Sequence, residues 1–299
     1  MKISEFSKTI SNIEIINDVE IDSLGMATTV FKSEEVLSFL EDTKYIKAII
    51  DNENITAIIT TREIYEKIRI PDYLGVVISC NPKITFYEIH NILSENDFYW
   101  KKFENKIAKT AVISNGSFIE EHSVEIGENS IIEPGVVIHS GSIIGNNVTV
   151  RSGSNIGTAG FQFLNTNGIV ISVKTAGKTI IKDNVEIQHN CCVDRGVLGG
   201  DTLLNEYVKL DNFVHIAHDN VIGARTFITA GAKLAGRVIV GRNCWIGVNS
   251  TISNGIKIGD NCKITLGSVV TQNIPDGSIV SGNFAIDHQK FIKFIKSIR

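Results

Sequence analysis

The sequence predicts a mainly β chain: a β-solenoid built on six-residue repeats, preceded by a small α/β domain and followed by a short helix. Three observations carry that reading. From Leu204 onward an aliphatic residue falls at every sixth position, through Leu210, Ile216, Ile222, Ile228, Leu234, Val240, Ile246, Ile252, Ile258, Ile264 and Val270. The same spacing runs upstream through Ile126, Ile132, Ile138, Ile144, Val150 and Ile156, with shorter pieces at Ile107, Ile113 and Ile119 and at Ile181, Ile187 and Val193. Finally, 25 glycines stand beside only 4 prolines, and aromatic residues make up 7% of the chain, which suits tight corners around small branched side chains.

Residues 1–104 lack the period and read as the α/β domain. Short strands are expected over 12–22, 27–32, 46–50, 54–60 and 73–79. They alternate with helices over 34–42, with Ser33 as N-cap, and over 62–69. A third helix follows Asn81-Pro82, where proline suits the first helical position and Ile84, Ile89, Ile92 and Leu93 supply an apolar face. The domain contains only Gly25 and Gly75, so it has neither a P-loop nor a dinucleotide-binding glycine fingerprint.

Residues 105–285 form the solenoid. A helical stripe would need hits at three and four residues, whereas six fits short strands joined by corners. The polar pairs between hits (EN, NN, DN, RN) suit those corners, because Asn and Gly tolerate their backbone angles. Three strands make an 18-residue coil whose aliphatics stack on those of its neighbours. The stretches GTAGFQFLNTNGIVISVKTAGKT after Ile156 and DRGVLGGDT after Val193 break the period. Such insertions leave a solenoid as loops, where function tends to sit. The end of the chain, 286–299, reads as an amphipathic helix capping the open coil.

A formal net charge of −4 and 21% charged residues leave no basic footprint for nucleic acid. The polar N-terminus lacks the apolar stretch of a secretory signal, and no run of about 18 apolar residues occurs. The five cysteines (Cys80, Cys191, Cys192, Cys244, Cys262) form no CxxC pair. A cytoplasmic chain with reduced thiols packed in its core is expected.

The densest polar cluster is Lys209-Leu-Asp211-Asn212-Phe-Val-His215-Ile-Ala-His218-Asp219-Asn220. Imidazole titrates near neutrality and can take a proton from an attacking amine, with a carboxylate such as Asp219, Asp211 or Asp194 fixing its tautomer. A metal site needs three converging ligands. His215 and His218 fall at different offsets of the repeat and need not converge, so no metal is expected.

CVDRG, VKLDNFVHIAHDNVIG and AGAKLAGRVIVG resemble the UDP-3-O-acylglucosamine N-acyltransferases of lipid A synthesis, as do GTAGFQF and NPKITFYEIHNIL. The resemblance covers nearly the whole chain. It implies a left-handed parallel β-helix, a homotrimer with clefts between subunits, and acyl transfer from a CoA or acyl-carrier-protein thioester to the amine of a nucleotide-linked sugar. In that likeness His218 is the catalytic base. Asp211, Asn212, His215, Asp219 and Asp194 support it. Beside the likeness, the residues themselves offer Gly236 as a coil-corner N–H for the oxyanion, Lys233 and Arg237 as contacts for coenzyme A phosphates, and Gly255 as a further donor-site residue. Phe31 is the retained member of the nucleotide-binding stretch. The family's second His is missing from Ser253-Asn254-Gly255-Ile256, and NIPDGSIVSGN resembles the ending of CoA-dependent hexapeptide acyltransferases. An acyltransferase of anthrose-type amino-deoxysugars therefore fits as well. Two other classes remain open: a metal-dependent hydratase or hydrolase of the γ-carbonic-anhydrase type, and a non-catalytic nucleotide-sugar scaffold.

Overall fold

The computed structural model describes residues 1–27, 35–166, 168–282, 285 and 287–298. Phe31, the Ser33 cap and nearly all of the strand expected over 27–32 lie outside the described residues. The chain divides into two compact units, and the division does not follow the sequence linearly. Met1–Glu104 is joined by both solenoid insertions, Ala159–Lys178 and Arg195–Asp201.

In this first unit five strands form one sheet, in the order β1 (Glu14–Asn17), β5 (Gly75–Ile78), β4 (Ile55–Thr60), β3 (Val36–Leu40) and β2 (Ser23–Leu24). Only the β1–β5 pair is antiparallel. Three helices accompany it: α1 (Ile46–Ile50), α2 (Arg62–Lys67) and α3 (Pro82–Glu95). Two expectations are corrected here. The segment expected to be helical over 34–42 contributes strand β3. Val36, Leu37, Ser38 and Leu40 are all buried because the strand lies inside a parallel sheet covered on both faces, so its sequence shows no alternation. The strand expected over 46–50 is helix α1, entered through a turn at Thr43–Tyr45 in which the Asp42 carboxylate accepts from the Lys44 N–H at 3.0 Å.

The first insertion is a hairpin, Phe163–Thr166 against Ile169–Ser172. Helix α3 holds it through Asn91, which donates to Ser172 O and accepts from Lys174 N. Leu164, Val173 and Val197 join the apolar cluster of Ile3, Phe86 and Ile89. The insertions therefore complete the core of the first unit. His90 is fully buried there, its Nε2 donating to Lys174 O at 2.7 Å while Nδ1 accepts from the Tyr99 hydroxyl at 2.7 Å.

The second unit is a left-handed parallel β-helix with sheets of nine, eight and eight strands. Each strand pairs with its equivalent one coil on, as in Lys209↔Phe227↔Trp245↔Lys263, while the next residues, Leu210, Ile228, Ile246 and Ile264, stack inward. The predicted corner residues Asn129, Asn147, Asn184, Asn243 and Asn261 all have left-handed φ between 54° and 61°. The glycine after an inward aliphatic permits coil-to-coil approach: a Cβ on Gly127 would stand 2.5 Å from the Gly145 backbone. Ile228 is 1% exposed. Ile228→Ala is expected to cost about 2–5 kcal/mol of unfolding free energy, measured by denaturant titration.

Helix α4 (His288–Ser297) forms within the expected terminal segment, with Asp287 accepting from Gln289 N and Lys290 N. It does not seal the coil. Phe291, Phe294 and Ile298 are exposed, while Ile274, bridged to Ile258, and Val280 of the last strand pack against the last inward residues. Among the described residues no helix is long and apolar enough to cross a membrane.

Candidate active site

His218 lies at a corner of the β-helix, just after the strand His215–Ile216 points Ile216 into the core. Several bonds fix that corner. Asp219 takes φ +58°, and its N–H donates to the Thr202 hydroxyl at 2.8 Å. The buried Asn220 amide donates to Ala217 O (2.6 Å) and Ala235 O (3.0 Å), and its oxygen accepts from Val238 N at 3.0 Å. At several other turns of the repeat the same position, two before the inward aliphatic, holds Ser or Thr, as at Ser130, Ser154, Thr226 and Ser250, whose hydroxyls donate to a backbone carbonyl. Asn220 does that work twice over and ties the His218 corner to the next coil.

The His218 side chain is 12% exposed, and its Nδ1 stands 2.8 Å from Asp219 Oδ2. A carboxylate only accepts, so Nδ1 carries the proton and Nε2 is left as the basic nitrogen. The ring lies against Gly236: an added Cβ would fall 2.4 Å from both Cε1 and Nε2. Gly236 is buried, and its N–H makes no hydrogen bond among the described residues. One coil further, the Gly255 N–H donates to Gly236 O at 3.0 Å. Asn254, with its amide turned to satisfy both neighbours, donates to Gly236 O (2.6 Å) and accepts from Arg237 Nη2 (3.2 Å). Ile256, standing where the family has its second His, is buried in the core.

The other residues singled out by sequence separate into two groups. Asp194 and His215 meet each other, His215 Nε2 to Asp194 Oδ2 at 3.2 Å, together with the Thr158 hydroxyl at 2.6 Å from Asp194 Oδ1. Asp194 is buried, which opposes its charge, but the bonds from His215 and Thr158 hold its carboxyl below the usual value. Cys192 belongs to this group too, its sulfur 3.2 Å from Thr158 Oγ1 and 3.5 Å from Asp194 Oδ1. Cys192 is therefore half-buried and outward-facing, not the packing residue its neighbour is. Burial pushes the Cys191 thiol up to about 11.

Asp211 and Asn212 belong to a corner network. Asp211 accepts from Asn212 N (2.7 Å) and Ala230 N (3.1 Å), and Asn212 Oδ1 accepts from His189 N at 3.1 Å. They shape the turn and, among the described residues, make no hydrogen bond to His218. Lys233 follows His215 in the outward file and donates to Gly231 O at 2.9 Å. Sequence reasoning gave no role to Asn220, Thr202, Asn254, Thr158 and Cys192. For Asn220 a signal existed: an amide at a position that most coils fill with an apolar residue or a small hydroxyl.

Residues 123–158 match the family "Bacterial transferase hexapeptide (six repeats)", and residues 237–272 match "Hexapeptide repeat of succinyl-transferase". A UDP-3-O-acylglucosamine N-acyltransferase of Prochlorococcus marinus is 32% identical over 253 residues, covering 75% of this chain and 70% of that one. The namesake protein of Shewanella denitrificans is 37% identical over 115 residues, a match spanning 38% of this chain and only 28% of the relative's length. The crystal structure of the Francisella novicida UDP-N-acetylglucosamine acyltransferase superposes with a TM-score of 0.50 at 21% identity over 63% of this chain and 73% of that one, a likeness of fold. Sequence identity sustained across most of both proteins decides the matter: the chain belongs to the UDP-3-O-acylglucosamine N-acyltransferase family.

Proposed function

We propose that this protein is an N-acyltransferase that moves an acyl group from a phosphopantetheine thioester to the amino group of a nucleotide-linked amino sugar, with His218 as general base. The observation that carries the reading is the oriented imidazole: Asp219 holds the Nδ1 proton and leaves Nε2 against Gly236, whose N–H makes no hydrogen bond among the described residues. The sugar amine attacks the thioester carbonyl, forming the C–N bond. Nε2 takes the ammonium proton, and the Gly236 N–H donates to the oxyanion. Collapse breaks the C–S bond, and the imidazolium returns the proton to the departing thiolate. The products are an amide and a free thiol, so no metal is needed for the balance.

In this reading Lys233 and Arg237 meet the phosphates of the donor, Phe31 takes part in holding the nucleotide, and the working form is a cytoplasmic homotrimer. The relatives carry UDP-3-O-acylglucosamine in their name, which makes UDP-linked amino sugars the first acceptors to try. The decisive assay follows thiol release when purified protein receives UDP- or dTDP-linked amino sugars with 3-hydroxyacyl-CoA or the corresponding acyl carrier protein. Sugar-dependent thiol release with an amide product supports the proposal. Sugar binding without thiol release from either donor replaces it with the non-catalytic scaffold. Calorimetry with CoA against acyl carrier protein then separates the two donors.

A further inference from the structure

A cluster apart from the His218 corner has the composition and spacing of a transition-metal site. Cys192 and Asp194 are alternate residues of one strand and so project to the same side, with Val193 between them in the core. His215 is the register partner of Cys192 in the next coil. One ligand atom from each, Sγ, a carboxylate oxygen and a ring nitrogen, lies within 4.8 Å of the others. The separations already seen are 3.2 Å for His215 Nε2 to Asp194 Oδ2 and 3.5 Å for Cys192 Sγ to Asp194 Oδ1. A tetrahedral zinc ion with ligands at about 2.0–2.3 Å sets its ligand atoms roughly 3.3–3.8 Å apart, a range that the two contacts to Asp194 approach, while the third edge lies within 4.8 Å. Asp194 is 4% exposed, and a buried carboxylate facing a thiol and an imidazole is far less ordinary than a surface acid. Thr158 donates to Asp194 Oδ1 at 2.6 Å, the outer-shell bond that orients a ligating carboxylate.

We propose that Cys192, Asp194 and His215 bind a thiophilic divalent cation of the zinc type. The S, N and O donor set favours zinc or cobalt over magnesium or calcium, which prefer oxygen alone. Binding displaces the Cys192 thiol proton to solvent, shifts the neutral His215 imidazole to the tautomer with its proton on Nδ1 by exchange with solvent, replaces the His215–Asp194 hydrogen bond with two metal bonds, and leaves a fourth position for water or an anionic group. This site is independent of the acyl-transfer reading, and its test does not use activity.

Full-length protein freed of metal by chelation is titrated with Co²⁺. The expected result is one ion per chain with a thiolate-to-cobalt charge-transfer band, displaced by Zn²⁺. The band disappears in Cys192→Ser and persists in Cys80→Ser. Asp194→Asn and His215→Gln weaken binding by more than the roughly 10–100-fold that an outer-shell change costs. A second measurement needs no variant: Zn²⁺ protects Cys192 of the native chain from iodoacetamide, read by peptide mass. Absence of the band, its survival in Cys192→Ser, or Cys192 alkylation unaffected by Zn²⁺ overturns the proposal.

Discussion

Replacing His218 with Ala lowers kcat by about 10²–10⁴-fold, the usual contribution of a positioned general base. Nδ1 is committed to Asp219 at 2.8 Å, so the ring has one lone pair to offer, at Nε2, and the residue is held at a corner clamped by Asn220 and Thr202. Those clamps use Asn220, Asp219 and backbone atoms and leave the imidazole out, so the Ala variant keeps its circular dichroism and melts near the parent. KM for the thioester stays close to that of the parent, because the loss falls on the proton-transfer step. Asp219→Asn gives a companion loss: an amide can present N–H to Nδ1, which favours the tautomer with the proton on Nε2 and removes the base. Wild-type turnover in the His218→Ala variant, on the correct sugar, would exclude the imidazole from the chemistry.

The solenoid was readable because its physics is one-dimensional. Each face of each coil buries an aliphatic at the same register, so a spacing of six survives any change in the outward residues, and the every-sixth residues from Leu204 to Val270 are all buried. The first unit was harder. In β3 both faces are covered, which erases the alternation that marks a strand, and α1 is too short to complete a helical stripe. The insertions were recognised as interruptions, but their packing onto α3 depends on contacts such as Asn91 to Ser172 that no local pattern encodes. Handedness came from the likeness of motifs. The Cys192–His215 pairing was hidden for a simpler reason: the second insertion lengthens that coil, so register partners stand at 192 and 215 where an uninterrupted coil would separate them by 18, as for His215 and Lys233.

Gly236→Ala is expected to reduce kcat by about 10²-fold through geometry alone, the scale of a displacement of roughly 1 Å at a reacting group. Gly236 is not among the positive-φ glycines, so alanine suits its backbone. The obstruction is the ring: the new methyl would lie 2.4 Å from Cε1 and Nε2 of His218. The corner backbone is fixed by Asn220, so the imidazole must rotate away, lengthening its bond to Asp219 and turning Nε2 from the acceptor amine. The Gly236 N–H itself survives the substitution, which separates steric displacement from loss of the oxyanion donor. A double-mutant cycle makes the distinction measurable. If Gly236→Ala acts through the imidazole, adding it to the His218→Ala chain lowers turnover by less than about twofold, since effects on one functional unit are not additive. A full second loss in the double variant would show that the methyl obstructs the thioester or the oxyanion directly, and unchanged turnover in the single variant would mean that the ring does not work from its place against Gly236.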